Sequence, residues 1–359
     1  MKKTNCYVDI HVLQTVPPSC VNRDDTGSPK TAVYGGVTRA RVSSQAWKRA
    51  VRQDFREYYT SELLGSRTKK VLAAVVEKML TLEPSLSRED AEEKAEKALQ
   101  NAGFSLNKSK EVDALFFMSD AQAKALAALA IRDSDDKKAY QAALKEKPSI
   151  DQVLFGRMVA VDPSLNYDAA AQVAHAISTH AVQNEFDYFT AVDDRAPEDN
   201  VGAGHIGTTE FNSATLYRYA TVNVDELISW LGEEAVDTVR GFVKSFCRAM
   251  PTGRQNSFAN RTLPDAVYVA VRNDQPVNLS GAFEKPVRAG TDGYLAASER
   301  ALAKYAAKTY ESFVPAPVLS LAVSHSEVLS SIAEQMPLPE LLDRVADCAA
   351  TRLADGDAQ

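Results

Sequence analysis

The sequence predicts a mixed α+β fold in which a helical block and an extended hairpin interrupt a sheet-containing core. Three observations predict it. Residues 6–13 alternate apolar and polar side chains, which is typical of a half-buried strand. Between about residues 60 and 155, alanines and charged residues dominate, which favours an inserted block of helices. Residues 184–219 combine strand and turn signals around a long loop at 193–207 that contains proline and glycine.

The other elements are predicted from local patterns, taken in chain order. Ser43 and Ser44 are suitable N-cap residues, and the helix that they begin is expected to run from Gln45 to about Tyr59. The later elements are a helix at 169–180, a helix at 225–250, and strands at 266–271 and 318–323. The short acidic segment after Leu353 is expected to fray.

Length and composition indicate a globular protein with one large domain or two moderate ones. The chain has 359 residues, of which 45% are hydrophobic and 25% are charged. The N-terminal residues lead into the first predicted strand without a signal-peptide core, and the sequence has no apolar run long enough to cross a membrane. We therefore expect a cytoplasmic protein without a membrane partner.

Cysteine and histidine positions predict neither disulfides nor a metal site. The cysteines lie far apart without a Cys-x-x-Cys pair, so unpaired and mostly buried thiols are expected at Cys6, Cys20, Cys247 and Cys348. His175 and His180 are five residues apart on the predicted helix, whereas a helical metal pair needs a spacing of three or four. We interpret both as core or polar-network histidines, and we expect no metal and no cofactor.

Charge is distributed unevenly along the chain. The net charge of −7, taken as an average, argues against nucleic acid as a partner. Residues 37–56, however, contain six basic residues and one acidic residue, a local balance of +5 that leaves −12 on the remainder. A strongly basic patch on an acidic body predicts a surface that binds a polyanion.

The predicted helix at 45–59 concentrates these cations on one face. At about 100° per residue, a sector about 100° wide contains Gln45, Lys48, Arg49, Arg52 and Arg56. The opposite face carries Trp47, Ala50, Val51 and Tyr58. The helix is therefore amphipathic, and cations spaced four apart repel one another by roughly a few tenths of a kcal/mol per pair. Such a face favours a bound polyanion; the alternative interpretation is a solvated basic face that binds nothing.

The start of the same helix strengthens the polyanion hypothesis. Backbone N–H groups and the positive end of the helix dipole collect at Ser43 and Ser44. Arg39 and Arg41 come just before them. This arrangement is typical of a phosphate-binding surface.

Two adjacent aromatic residues, Tyr188 and Phe189, precede the long predicted loop. Exposed aromatic side chains there could stack on unpaired bases, at about 1–3 kcal/mol per base. The alternative is burial in the core, which is the more common place for an aromatic pair.

Ordered motifs along nearly the whole chain point to a known family. The most specific is the block Arg-x-Arg-x-Ser-Ser-Gln-x-x-Lys-Arg at 39–49. The others are 10–13 (IHVL), 18–25 (PSCVNRDD), 35–36 (GG), 156–158 (GRM), 174–180 (AHAISTH), 187–194 (DYFTAVDD), 217–220 (YRYA), 253–255 (GRQ) and 281–285 (GAFEK). Together they resemble the CasC family, which supplies the backbone subunit of the type I-E CRISPR complex called Cascade.

This resemblance implies a protein shaped like a right hand. An RRM-like (ferredoxin-like) palm would comprise residues 1–59, 160–182 and 217–359, with helical fingers at 60–159 and a β-hairpin thumb at 183–216. Several copies, typically six, would assemble head-to-tail along a CRISPR RNA beside other Cascade subunits. Each thumb would kink the RNA and flip out a nucleotide, while the flanking bases pair with target DNA. Such a subunit is a scaffold in antiviral defence and not an enzyme.

The resemblance also implies which residues contact RNA. Phosphates and sugars would be held by the predicted loop at 17–25 (the first loop) and the basic helix, through Asn22, Arg23, Arg41, Ser43, Ser44, Gln45, Lys48, Arg49 and Arg52. Further contacts would come from Met158, Tyr188, Phe189, Arg254 and Gln255. The family more usually has Trp-Phe where this chain has Tyr188-Phe189, but tyrosine still offers a ring for stacking.

A second departure from the family concerns target DNA. The fingers of family members carry lysines that attract duplex DNA without sequence preference. Lys137 and Lys138 match the first two, Gln141 replaces a later one, and Lys145 lies out of step. Weaker DNA capture is therefore one interpretation, and a merely solvated helix end is the other.

Two further functions are compatible with the sequence. Asp24 and Asp25 in the first loop could serve a metal-dependent ribonuclease, because related subunits of type III complexes cut target RNA with an aspartate in a comparable loop. A two-metal site needs more carboxylates, and turn capping is a commoner role for such residues. The remaining alternative is a monomeric single-strand RNA-binding protein, which RNA-length-dependent assembly would exclude.

Overall fold

The computed structural model describes residues 5–159, 162–191 and 205–357. The chain divides into two compact units. The first comprises Met1–Asp54, Val173–Val224 and Val239–Gln359, and the second comprises Phe55–Gln172 and Asp225–Thr238. Among the described helices, none combines the length and the apolar character that crossing a bilayer requires. The finer division into palm, fingers and thumb stays a prediction.

The described residues form twelve strands and eleven α-helices, so the mixed α+β fold is confirmed. The strands are β1 (Tyr7–Ser19), β2 (Thr31–Tyr34), β3 (Val37–Val42), β4 (Ser66–Thr68), β5 (Phe116–Met118), β6 (Ala171–Val173), β7 (Ala176–Ser178), β8 (Glu185–Ala191), β9 (His205–Asn223), β10 (Ala266–Arg272), β11 (Leu319–Ser324) and β12 (Glu334–Gln335). The helices are α1 (Ser44–Asp54), α2 (Val71–Leu82), α3 (Arg88–Asn101), α4 (Asp120–Ile131), α5 (Lys137–Lys145), α6 (Ile150–Phe155), α7 (Val224–Leu231), α8 (Glu234–Arg248), α9 (Gln255–Phe258), α10 (Leu295–Ser312) and α11 (Leu338–Asp357).

The first unit is organised around a sheet with the strand order β12-β11-β10-β1-β9-β7-β3-β2. β1 is central and pairs antiparallel with both β10 and β9. It is longer than the predicted strand at 6–13, and residues 8–14 are buried whether apolar or polar. The prediction of a half-buried strand was therefore wrong, because the strand is covered on both faces.

β8 and β9 form the hairpin that the strand and turn signals predict. β9 pairs with β1 from Asn212 to Asn223, and its first half pairs with β8, from Phe211 opposite Glu185 to His205 opposite Ala191. One continuous strand thus extends from the central sheet into the hairpin. Most of the predicted loop at 193–207 lies outside the described residues.

The predicted helix at 169–180 is wrong. This segment forms the short strands β6 and β7, and β7 bridges β3 and β9 through pairs such as Ile177 with Arg41 and with Tyr217. The alanines of this segment favour a helix in isolation, but sheet pairing outweighs that weak local preference. His180 is buried and bonds the backbone N–H of Thr215, whereas His175 is exposed and contacts Arg41.

α1 packs its apolar face against the sheet, as the helical wheel predicts. Its buried residues include Trp47, Ala50 and Val51. The guanidinium of Arg218 on β9 lies 3.8 Å from the Trp47 ring centroid, a cation–π contact, and donates a 2.6 Å hydrogen bond to Gln14 Oε1 on β1. Burial lowers the pKa of Arg218 to about 9, which still leaves the side chain cationic at neutral pH. These contacts anchor the helix in the core.

The end of α1 is anchored separately. The helix ends at Asp54, earlier than predicted, and residues Phe55–Glu57 form a 3₁₀ turn. Asp54 is buried, accepts a 2.7 Å hydrogen bond from Ser245 and lies 3.4 Å from the guanidinium of Arg248 on α8. Asp54 therefore fixes the helix end and does not neutralise the basic face.

The second unit contains the predicted helical block. α2, α3, α4 and α5 share one apolar core, and the short strands β4 and β5 pair beside it. Arg157 is buried there without a carboxylate partner among the described residues, and its guanidinium donates hydrogen bonds to the backbone oxygens of Leu165, Phe117 and Leu144. The buried arginine therefore holds the chain in place directly before Met158.

Candidate nucleic-acid interface

The start of α1 is joined to the first loop. Ser43 Oγ accepts the backbone N–H of Ala46 at 3.3 Å, so Ser43 is the N-cap residue that the sequence predicts. The backbone N–H of Ser43 donates to Asn22 Oδ1 at 2.9 Å. Asn22, which comes from the loop after β1, therefore lies at the positive end of the helix.

Asp24 organises the first loop. Its Oδ1 accepts hydrogen bonds from the Thr26 hydroxyl at 2.7 Å and from the backbone N–H groups of Thr26 and Ser28, each at 3.0 Å. These bonds, the Thr26 hydroxyl first, hold the pKa of Asp24 below its ordinary value. Arg23 and Asp25 are exposed on either side of it. Across the described part of the chain, no cluster of three or more His, Cys, Asp or Glu residues could hold a metal ion.

A cleft of about 570 Å³ lies between the first loop, α1 and the segment after α8. Its lining includes Asn22, Arg23, Asp24, Asp25, Arg49, Gln53, Thr252 and Gly253. A Cβ atom at Gly253 would lie 2.1 Å from the carbonyl oxygen of Val21, so only glycine allows this close approach. The structure thus brings together two predicted RNA contacts of the loop, one of the helix, and the segment that leads to Arg254. Gln53 and Thr252 were not predicted, because neither belongs to a charged pattern.

The base of the β8–β9 hairpin is hydrogen-bonded to the first loop and to the segment after α8. Arg254, in a left-handed backbone conformation, donates a 2.8 Å hydrogen bond to the Thr209 hydroxyl on β9. Ser28 of the first loop donates to Glu210 Oε1 at 2.9 Å. Gln255 begins α9 and is half-buried. The hairpin base and the cleft are therefore parts of one connected structure within the first unit.

Arg41 lies on β3, outside the lining of this cleft. Its Nε donates to the Thr31 carbonyl at 3.0 Å, and one terminal nitrogen lies 3.3 Å from Nδ1 of His175. The backbone of Lys30 connects this position to the first loop, because its N–H donates to the Asn22 carbonyl and its carbonyl accepts from the Arg41 N–H. His175 was missed as a candidate because the sequence placed it on a helix.

The polar face of α1 has the character that the wheel predicts. Gln45 and Arg49 are exposed, whereas Lys48 and Arg52 are half-buried. Arg56, which the wheel places on the same face, is exposed in the 3₁₀ turn after the helix. Neither Arg49 nor Arg56 forms an ion pair with any residue in the described ranges. Ser44 is half-buried as the first helical residue.

The aromatic residues of the hairpin are exposed, so the core interpretation was wrong for them. Tyr188 is 64% exposed and Phe189 is 43% exposed. Successive strand residues point to opposite faces, so the two rings lie on different sides of the hairpin. Phe189 covers Gly207 on β9, where a Cβ atom would lie 2.4 Å from the ring. Phe186, which was not predicted as a contact, is 68% exposed on the Tyr188 side.

The remaining candidates lie in the second unit. Met158 is 85% exposed although it follows the buried Arg157. Lys137, Lys138 and Lys145 are exposed on α5. Lys138 and Lys145 are seven residues apart and therefore share a helix face, with Gln141 between them.

The chain is similar to one known protein family and to chains of solved structures. A family model described as CT1975-like protein matches residues 8–346. A chain from a CRISPR RNA-guided surveillance complex in a pre-nicking state is 34% identical, with a TM-score of 0.85 over 96% of this chain and 100% of that one. A chain from another CRISPR RNA-guided surveillance complex is 32% identical, with a TM-score of 0.64 over 96% and 99% of the two chains. No curated protein matches the sequence.

Proposed function

Because the chain belongs to the CT1975-like protein family, we propose that it is a non-catalytic RNA-binding scaffold of a type I-E Cascade complex. Its similarity to chains of CRISPR RNA-guided surveillance complexes supports a CRISPR RNA as the ligand. The observation that carries the proposal is the cleft at which the first loop, the basic face of α1 and the segment before Arg254 meet at the hairpin base.

The chemistry of this cleft suits the backbone of a nucleic acid. Arg23 and Arg49 supply positive charge beside the carboxylates of Asp24 and Asp25, and Asn22, Gln53 and Thr252 supply neutral hydrogen-bonding groups. Such contacts position a strand and carry no sequence information by themselves. The exposed rings of Tyr188 and Phe189 offer stacking surfaces that accept any base. The protein would therefore bind guides of any sequence and leave their bases available for pairing.

The finer features of the proposal concern assembly. Copies of the chain, typically six, would bind head-to-tail along the RNA with other Cascade subunits. Each hairpin would kink the strand and flip out one nucleotide, and Met158 would pack against the kinked RNA. Target DNA would pair with the exposed guide bases, and Lys137, Lys138 and Lys145 would attract the duplex. An RRM-like palm and a cytoplasmic location belong to the same proposal.

The test is a titration of the purified protein with spacer-derived RNAs of increasing length, followed by gel shift and mass photometry at two salt concentrations. We expect protomers to add stepwise as the RNA lengthens, and we expect added salt to weaken binding. A single copy bound whatever the RNA length would contradict the scaffold and leave a monomeric RNA-binding protein.

A metal-dependent ribonuclease remains the second candidate function, and substitution of Asp25 tests it. Both carboxylates are exposed, but Asp24 already accepts hydrogen bonds from Thr26 and Ser28, so Asp25 is the carboxylate of the pair that is more available to a metal. We expect no magnesium-dependent cutting of guide or target RNA by the wild-type protein. We expect RNA affinity in Asp25→Ala that is equal to the wild type or tighter, because the substitution removes a negative charge from the cleft. Magnesium-dependent cleavage that this substitution abolishes would replace the scaffold by the enzyme. Denaturing gels of end-labelled RNA provide the measurement.

A further inference from the structure

Three basic side chains lie together on the β2–β3 side of the first unit. Arg41 on β3 has a guanidinium nitrogen 3.3 Å from Nδ1 of His175, the exposed residue just before β7. Lys30 precedes β2 and is joined to both Arg41 and Asn22 through its backbone. Within the described ranges, no ion pair engages Arg41 or Lys30. The group is therefore a concentration of positive charge next to the start of α1.

The contact between Arg41 and His175 defines the state of the imidazole. A guanidinium can only donate hydrogen bonds, so Nδ1 of His175 accepts and carries no proton. Partial burial is the largest of the causes that lower the pKa of His175 below its ordinary value. The positive charges of Arg41 on β3 and of Lys30 before β2 lower this pKa further. These two cations are the charged groups that act on the ring from the elements packed against it, and no carboxylate in the described part of the chain offsets them. The free protein thus holds a neutral histidine beside two cations.

We propose that His175 is a further RNA contact, which binds one backbone phosphate together with Arg41 and Lys30 and takes up a proton when it does so. The inference rests on the proposed RNA-binding function and adds a residue to it. A phosphate placed among the three side chains would offset the charge of both cations. The imidazolium then gains an acceptor, where before it would have faced only positive charge.

The direction of the pH dependence follows from this exchange of partners. A bound phosphate raises the pKa of His175 relative to the free protein, so the complex binds more protons than its parts. RNA affinity must then increase as the pH falls from 8 towards 5.5. A difference of one pKa unit corresponds to about a tenfold change in affinity over the full range. We expect RNA binding to be about threefold to tenfold tighter per protomer at pH 5.5 than at pH 8.

The test measures the affinity of the full chain for one spacer-length RNA at both pH values. His175→Gln keeps a side-chain oxygen that can accept from Arg41 but cannot take up a proton. His325→Gln is the matched control, because His325 is also exposed and lies in the first unit after β11. Acidic groups elsewhere in the protein also titrate in this range. The quantity compared between each variant and the wild type is therefore the change in RNA affinity between the two pH values.

The expected result is that His175→Gln loses most of the pH dependence, so its affinity falls short of the wild type by more at pH 5.5 than at pH 8. His325→Gln should keep the full dependence. If His175→Gln retains the wild-type pH profile, or if the wild type shows none, the proton-linked contact is wrong although RNA binding stands. If the wild type binds no RNA at either pH, the proposed function is wrong and this inference is wrong with it.

Discussion

Replacing Arg49 by glutamate is expected to weaken RNA binding by about 10- to 100-fold per protomer, since a hydrogen bond to a charged group contributes roughly 1.5–3 kcal/mol. Arg49 is exposed on the polar face of α1 and lines the cleft beside Arg23 and Gln53. It has no ion-pair partner in the described ranges, so the substitution breaks no internal salt bridge. The loss should be similar for all RNA sequences because the contact is to the backbone.

The salt dependence of binding distinguishes a lost phosphate contact from a general loss of positive charge. If about five cations per protomer meet phosphates, the logarithm of the affinity should fall with the logarithm of the salt concentration at a slope of roughly −3.5. The Arg49→Glu slope should be shallower by about 0.7. Lys304→Glu on α10 makes the same charge change at an exposed position that does not line the cleft. Equal losses in both variants would contradict the cleft as the binding site.

Replacing Trp47 by alanine is expected to lower the free energy of unfolding by about 3–5 kcal/mol, the range for removing a large aromatic side chain from a core. Trp47 is fully buried and packs on the Arg218 guanidinium at 3.8 Å. Its loss would leave a cavity and would also remove one of the two aromatic rings that contact the buried cation, the other being Phe246 at 4.6 Å. Chemical denaturation followed by circular dichroism measures the change.

Trp47→Phe is the matched control for this substitution. Phenylalanine keeps an aromatic face for Arg218 and removes the indole N–H, which has no hydrogen-bond partner among the residues that the structure describes. We therefore expect a much smaller loss of stability, about 1 kcal/mol, since the smaller ring still fills part of the site. Similar stability for the alanine variant and the wild type would show that Trp47 does not anchor α1.

Local patterns predicted much of the candidate site. The wheel at 45–59 separated an apolar face, which the structure buries at Trp47 and Val51, from a basic face, which it leaves more accessible. Helical spacing is a property of neighbouring residues, so a single segment contains the information. The cap at Ser43 and the strand at 266–271 were predictable for the same reason.

What could not be predicted depends on partners distant in sequence. The alanine-rich segment at 169–180 becomes strand because β3 and β9 offer pairing positions, and no local pattern reports those positions. The contact between His175 and Arg41 joins residues 134 positions apart. The approach of Gly253 to Val21 likewise exists only after folding. These long-range contacts form one wall of the cleft and the group of basic side chains at Lys30, Arg41 and His175. The family resemblance therefore predicted several RNA-contacting residues but not the residues that surround them.

The continuity of β9 restricts how the length of this chain can change. One strand carries both the pairing with β1 and the pairing with β8, so the alternation of its side chains runs unbroken from the central sheet into the hairpin. Deleting a single residue near Asn212 would turn every hairpin side chain of β9 to the opposite face. Homologous chains should therefore gain or lose residues here in pairs, or compensate with a bulge.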